Sequence, residues 1–546
     1  MTKNRSTGPL AGAERTLQAD EPARFAPPYI VVAAIVLVCL APPLALLATG
    51  GDLQTTLAFF GEPRQIELFE RSLGVAAAAT VLALVWGIPT GLVIARARGP
   101  LGTAVEILSY IPLLLPSIIV VLGWIYMLGR AGALTRVLTR LFGLEGPPVD
   151  IYTPLGAGFV LSLCYFPVVS ILCAQGFRSA SAEELRAAEL AAGAAGRFWH
   201  FWRPLMAPYL ATATLIVFLM SFADYGVPSA LTINVFPVEI FVQLSTHLDV
   251  ERAAALGALP GALAALLVLL RHLAVRSAPS PASGLGARPG GRIPRPALFL
   301  ALLAILLGSL VPLLFLAITA GPLDSYARAL RTAGAQVLES LSVGGWSMAL
   351  LVLLGGAFAA AHRALGRRGK IAAETLILLP LVIPGAAVGL GVLFLVDEGI
   401  PPFSWLYPHP ALLAYACACR YAVFPCLLLA GAAASIRPEL LRSAAASGAR
   451  PLSVVSRIAL PLILPAVVAA AALSFILSFG ELSASVLVHP PGGMTLPVRL
   501  SSLLHFGEDA IVAALCLMAS GFLIGVLLLA HLVIHRPLRI ELCHES

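Results

Sequence analysis

Charge is scarce in this chain. Only 12% of its 546 residues are Asp, Glu, Lys or Arg, about half the share in an ordinary globular domain, which excludes a water-soluble fold with a solvated surface. A nucleotide-binding loop is missing too. No Gly-x4-Gly-Lys-Ser/Thr stretch occurs, and the nearest approach, Arg367-Arg368-Gly369-Lys370, lacks the first glycine and the hydroxyl residue that phosphate and magnesium binding require. The chain is therefore expected to hydrolyse no ATP and to bind no cofactor of its own. Cysteine chemistry is equally thin. Seven of the 8 cysteines (Cys39, Cys164, Cys173, Cys417, Cys419, Cys426 and Cys516) fall in apolar runs, where a thiol behaves as a small apolar group. Cys417-x-Cys419 has no second ligand pair at useful spacing, and His247, His409, His489 and His505 have no close ligand spacing, so neither a disulfide framework nor a metal site is expected.

What abounds is hydrocarbon. Hydrophobic residues make up 59% of the chain, and runs of roughly 20 apolar residues, enough to cross a bilayer, are centred on 29–49, 72–95, 104–127, 154–176, 205–229, 252–272, 297–319, 341–363, 372–396, 410–433, 461–482 and 509–533. The fold class expected is an all-α membrane protein with about twelve transmembrane helices. Most of the 35 lysines and arginines lie in the N-terminal tail and in every second connection after it, which predicts both termini on the cytoplasmic side of the membrane. The net charge of +7 then describes a solvated inner rim and not a nucleic-acid surface. Residues 1–28 are polar, with Lys3, Arg5, Arg15 and Arg24 and no cleavable signal pattern, so the first span reads as an uncleaved anchor.

The chain also repeats itself. Glu184-Leu-Arg-Ala-Ala-Glu-Leu-Ala-Ala-Gly193 is followed by Arg203-Pro204-Leu-Met-Ala-Pro208, and Glu439-Leu-Leu-Arg-Ser-Ala-Ala-Ala-Ser-Gly448 by Leu460-Pro461-Leu-Ile-Leu-Pro465. Glutamate and glycine are nine residues apart in both copies. Ser72-Leu73 answers Ser340-Leu341, and Pro112-x3-Pro116 answers Pro380-x3-Pro384. Between the copies lies a Gly/Pro/Ser mixture from Ser277 to Gly291 that suits a flexible tether. The expected organisation is a tail (1–28), a six-helix repeat (29–272), a linker (273–296), a second six-helix repeat (297–533) and a short tail (534–546). An even number of crossings per half makes the two repeats parallel. The longer outer connection of the first half, Gly129 to Thr153, is a plausible landing surface for an outside partner.

Each repeated motif reads as a short inward-facing helix. Ser181 offers a capping box before Glu184, Pro438 suits a first helical position before Glu439, and a glycine can end each helix. Small residues such as Ala188, Ala191, Ala444 and Ala445 would let another protein approach closely. With these features the chain resembles the permease subunits of bacterial ATP-binding-cassette importers, whose signature is Glu-Ala-Ala, three residues, Gly, then a spaced Leu-Pro. Helix count, the Pro-x3-Pro segments and Phe479-Gly-Glu-Leu-Ser-Ala-Ser485 extend the likeness over nearly the whole chain, toward the fused two-repeat permeases for ferric iron, thiamine and related cargo. The signature is degenerate here: its Glu-Ala-Ala positions hold Ala187, Ala188 and Glu189 in one copy and Arg442, Ser443 and Ala444 in the other. The resemblance implies that the two short helices, with Glu184, Ala188, Glu189, Gly193, Glu439, Ala444 and Gly448, couple to two copies of a cytoplasmic ATPase that holds the ATP and magnesium. It also implies an extracytoplasmic substrate-binding protein as partner.

Charge inside the apolar runs marks a candidate pathway. Asp224 in Ser221-Phe-Ala-Asp224 and Glu481 in Ser478-Phe-Gly-Glu481 each lie 20 residues beyond the first proline of their repeat. By pseudo-symmetry they would face one another, and paired carboxylates suit a cationic or hard-metal cargo. Arg420 is the basic residue set deepest in an apolar run and is a candidate partner for Glu481, with Tyr225 and Tyr421 beside these charges. Ferric iron is the first expectation for cargo, then thiamine, then an organophosphonate or polyamine. A secondary transporter coupled to protons through Asp224, Glu481 and Arg420 is the competing class, and a channel is disfavoured because no filter-like loop recurs.

Overall fold

The computed structural model describes residues 26–49, 61–144, 146–180, 182–191, 193–245, 250–274, 293–489 and 492–535. Most of the proposed terminal tails, most of the tether and Ser181 fall outside these residues. Every regular element among those described is helical, as a hydrocarbon solvent demands, because a helix satisfies its backbone N–H and C=O groups internally. Among the described residues nine helices are long and apolar enough to cross a membrane, or eleven if two sharply bent pairs each count as one span. The bent pairs, Arg367–Leu381 with Gly385–Asp397 and Pro410–Tyr421 with Val423–Ala434, occupy the ninth and tenth expected spans. The sixth expected span lies in Val250–Ala274, whose apolar core is shorter than the others.

In chain order the first half comprises α1 (Ala26–Thr49), α2 (Pro63–Arg96), α3 (Gly99–Leu114), α4 (Ser117–Leu128), α5 (Ala133–Phe142), α6 (Pro154–Arg178), α7 (Ala182–Ala191), α8 (Arg203–Phe222), α9 (Phe236–Ser245) and α10 (Val250–Ala274). The second comprises α11 (Arg295–Ile305), α12 (Val311–Ala320), α13 (Leu323–Ala364), α14 (Arg367–Leu376), α15 (Gly385–Asp397), α16 (Pro410–Tyr421), α17 (Val423–Ala434), α18 (Pro438–Ala446), α19 (Leu460–Phe479), α20 (Leu496–Phe506) and α21 (Asp509–His535). Breaks in the long spans follow proline, which withholds an N–H from the ladder. Pro116 separates α3 from α4 and Pro384 precedes α15, so the third and ninth spans bend at equivalent points.

The halves trade their first helices. Helix α1 packs against α13, α15 and α16 of the second half, while α11 and α12 pack against α2, α3 and α4 of the first. Tyr415 donates its O–H to the carbonyl of Val38 at 2.7 Å, and Ser309 donates to Leu108 at 3.1 Å. Glycine makes both exchanges possible: Gly391 lies against the backbone of Pro42, and a Cβ on Gly123 would come within 2.6 Å of Pro312 Cα. Close approach through small residues is how helices associate in lipid, where no hydrophobic force draws them together. The halves are thus interlocked rather than laid side by side.

At the far end of the bundle a second symmetric device appears. The hydroxyl of Ser72 on α2 accepts the N–H of Phe236 at 3.0 Å, and that of Ser340 on α13 accepts the N–H of Leu496 at 2.8 Å. Each serine satisfies an N–H at the start of a helix, α9 or α20, that follows the candidate pathway segment.

Candidate functional site

The site begins where α8 and α19 end. Helix α8 stops at Phe222 and α19 at Phe479, and each chain then turns so that a carboxylate caps the next segment. Asp224 Oδ1 accepts the N–H of Val227 at 2.9 Å, and Glu481 Oε1 accepts the N–H of Ala484 at 2.9 Å. The two acids therefore sit in matching local structures, three residues before the amide each one holds. Asp224 is 6% exposed and Glu481 2%, so neither is an interfacial cap in open water.

Their further partners differ. Arg420, in the last turn of α16, directs Nη1 to both Glu481 oxygens at 2.9 Å, and Tyr421 donates its hydroxyl to Glu481 Oε2. Arg420 Nη2 reaches across to the carbonyl of Ala223 in the first half at 3.4 Å. Asp224 is held instead by the hydroxyl of Tyr165 on α6, at 2.7 Å from Oδ2. No pattern in the sequence had singled out Tyr165. The only hint was its place in Cys164-Tyr165-Phe166-Pro167, an apolar run in which one phenol needs a buried acceptor.

These groups line a cavity of about 70 Å³ between the halves, together with Pro116, Ser117, Cys164, Gly480 and Ser483. That is room for a few water molecules and well below the roughly 300 Å³ of a small-ligand pocket. Tyr225, expected to orient the charges, does not line the cavity: it packs edge-on against Phe241 with ring centroids 5.7 Å apart. The turn after Asp224 rotates the next side chain away, which adjacency in sequence does not reveal.

One glycine explains why arginine enters only one half. Ser117 follows Pro116 in the first half, where Gly385 follows Pro384 in the second. A Cβ on Gly385 would lie 2.6 Å from Arg420 Nη1 and 3.0 Å from Glu481 Oε1. We expect Gly385→Ala to push the guanidinium off the carboxylate and to cost about 1–3 kcal/mol, the usual price of overpacking. A melting temperature equal to wild type in detergent would show that the pair does not depend on that space.

At the opposite end α7 and α18 carry the repeated motif. Glu183 and Glu184 occupy the first turn of α7 and Glu439 that of α18, where carboxylates favour the helix dipole. All three are exposed, whereas Ala188 and Ala444 are half-buried; nothing is described of the Glu189 side chain. Gly448 ends its helix in the left-handed region, φ 73°, with the amide of Ala449 bonded to Ala444 O at 3.1 Å. Gly193 follows α7, whose described residues reach Ala191, and residue 192 between them lies outside the described residues. A π-helical turn then precedes each membrane helix, Phe198–Trp202 before α8 and Val455–Ala459 before α19. Pro204 and Pro461 supply no N–H four residues on, and the ladder slips register. Arginines fasten the bases of these elbows. Arg178 donates to Ile94 O at 2.9 Å in the first half, and Arg363 donates to Ile436 O at 3.1 Å and to Ala433 O in the second.

Two interlocked helical halves around a small charged cavity, with a pair of matched elbows at one end, define a membrane translocator. The family described as "Binding-protein-dependent transport system inner membrane component" matches residues 87–278 and again 352–536. The chain belongs to that family, as a fused two-repeat permease of an ABC importer and a multi-pass membrane protein. It is 29% identical over 254 residues, 44% of this chain and 92% of the relative, to the molybdenum transport system permease protein ModB of Mycobacterium tuberculosis. It is 35% identical over 185 residues, 33% of this chain and 66% of the relative, to the putative 2-aminoethylphosphonate transport system permease protein PhnV of Salmonella paratyphi A. Identity to the ferric transport system permease protein FbpB of Actinobacillus pleuropneumoniae is 25% over 225 residues, 40% of this chain and 32% of the relative. Among solved structures, a bacterial alginate ABC transporter in complex with alginate pentasaccharide-bound periplasmic protein matches with a TM-score of 0.36 and 16% identity, covering 49% of this chain and 92% of that one.

Proposed function

We propose that this permease carries a cationic cargo, ferric iron first and thiamine second, delivered by an extracytoplasmic binding protein. Movement is driven by two copies of a cytoplasmic ATPase that hold the ATP and magnesium, while this chain binds no cofactor. Both termini lie in the cytoplasm, and the ATPase subunits grip α7 and α18, with Glu184, Glu189 and Glu439 as acidic contacts and Ala188, Ala444, Gly193 and Gly448 allowing close approach. The observation that carries the cargo reading is the pair of equivalent buried carboxylates, Asp224 and Glu481, lining one cavity with a single arginine between them to offset two negative charges. An anionic cargo would meet the second carboxylate uncompensated in a medium of low dielectric.

A second reading, an oxyanion or phosphonate cargo bound by Arg420, is favoured by the greater likeness to relatives named for molybdenum and 2-aminoethylphosphonate. The two separate in one experiment. Uptake of radiolabelled iron, thiamine, molybdate and 2-aminoethylphosphonate is compared in cells expressing the transporter with its genomic partners. Iron uptake suppressed by Asp224→Asn supports the cationic reading; molybdate or phosphonate uptake that survives this change overturns it. Deleting residues 182–191 is expected to abolish both uptake and co-purification of the ATPase. Uptake that persists without the ATPase, driven by an ion gradient, would instead establish a secondary transporter.

A further inference from the structure

The charges in the cavity are shared unequally, and the inequality has a direction. Glu481 holds a guanidinium, a phenol and an amide, whereas no cation lies within 4 Å of Asp224 among the described residues. Arg420 itself is under-used. Its Nε is buried without an acceptor, and its second Nη reaches only a backbone carbonyl, that of Ala223, at 3.4 Å. That carbonyl belongs to the other half and precedes Asp224 directly. Directly opposite, Gly480 meets the other half again, since a Cβ there would lie 2.8 Å from Pro116 Cγ. Arg420 thus ties the two halves at the wall of the cavity, and it does so with a contact cheap to break.

We propose that Arg420 is a tethered counter-ion that latches the passage in the absence of cargo, bridging Glu481 to the Ala223 carbonyl, and that a cationic cargo opens the passage by taking over the carboxylates. The displacement rests on the cationic reading above; the latch does not. A guanidinium suits the task because it stays charged under all conditions and offers donors in two directions at once. Once a cation satisfies Glu481 and Asp224, Arg420 loses its anchor and the link across the halves goes with it. A ligand shifts such an equilibrium only through different contacts in the two states, and this exchange of counter-ions supplies them.

Cys164 reports on the latch, because it lines the cavity and is 1% exposed. The assembled transporter in membrane vesicles is treated with 2-aminoethyl methanethiosulfonate, a small cationic thiol reagent, with Cys164→Ala as background. Arg420→Gln should speed modification of Cys164 by at least about tenfold, the factor expected from losing one hydrogen bond to a charged group; Arg420→Lys, which keeps the charge but not the fork, should fall between. Glu481 keeps its phenol and amide donors in Arg420→Gln and can take up a proton, so the variant is expected to melt near the wild-type temperature. Unchanged labelling in a variant that melts like wild type overturns the latch whatever the cargo is. Thiamine, a soluble organic cation and the second cargo of the cationic reading, should raise Cys164 labelling when added to the wild-type transporter. If it does not, while Arg420→Gln does, displacement by that cation is overturned and the latch alone stands.

Discussion

Glu481→Ala is expected to leave little folded protein. The change strips Arg420 of its only carboxylate within 4 Å among the described residues while the guanidinium remains 8% exposed in the bundle interior. Removing one partner of a buried ion pair costs about 3–5 kcal/mol, because the survivor is a charge without compensation. Arginine cannot escape by losing its proton, so the loss falls wholly on the fold. The reverse change, Arg420→Gln, is milder for the reason already given: a stranded carboxylate can neutralise itself. A thermal melt of the purified protein in detergent distinguishes the two. The double variant Glu481→Ala with Arg420→Met should recover most of the lost stability, since apolar replacement of a whole buried pair is often neutral or better. Should Glu481→Ala melt like wild type, the pair contributes nothing and Arg420 must find another partner.

Gly391→Leu should be nearly as damaging, by a different route. The glycine faces the backbone of Pro42 on α1, with no flexible side chain that can move aside. Any side chain there must lift α1 off α15, and with it the Tyr415 bond to Val38. Overpacking of a tight contact costs about 1–3 kcal/mol even where neighbours can adjust, and here the obstacle is main chain. The expected result is loss of the monodisperse peak in size-exclusion chromatography. Gly123→Leu, its counterpart against Pro312, should do the same, whereas Gly356→Leu, with open space around it, should not. Equal behaviour of all three would show that the exchanged helices are not docked through these glycines.

Much of this protein could be read along the chain. Membrane class, the positions of the spans and the duplication depend on runs of hydrophobicity and on spacings within some twenty residues, and those are local quantities. The elbow helices at Glu184 and Glu439 were legible for the same reason, as were Asp224, Arg420 and Glu481, because a charge in an apolar run is costly and stands out. The signal for the helix exchange was also present, as single glycines at 123 and 391 inside apolar runs, but a glycine names a close approach without naming what approaches it.

Sequence alone therefore determined what crosses the bilayer, how often the plan repeats and which few charges lie within it. Only the tertiary structure decided that each half borrows the other's first helix, that Tyr165 and not Tyr225 serves Asp224, and that Gly385 admits a guanidinium where Ser117 stands in the other half. The physical reason is that lipid-facing and protein-facing apolar residues look alike in a string of letters. Partners are chosen by shape and by the need of each buried polar group for a mate, and these are settled between residues tens to hundreds of positions apart.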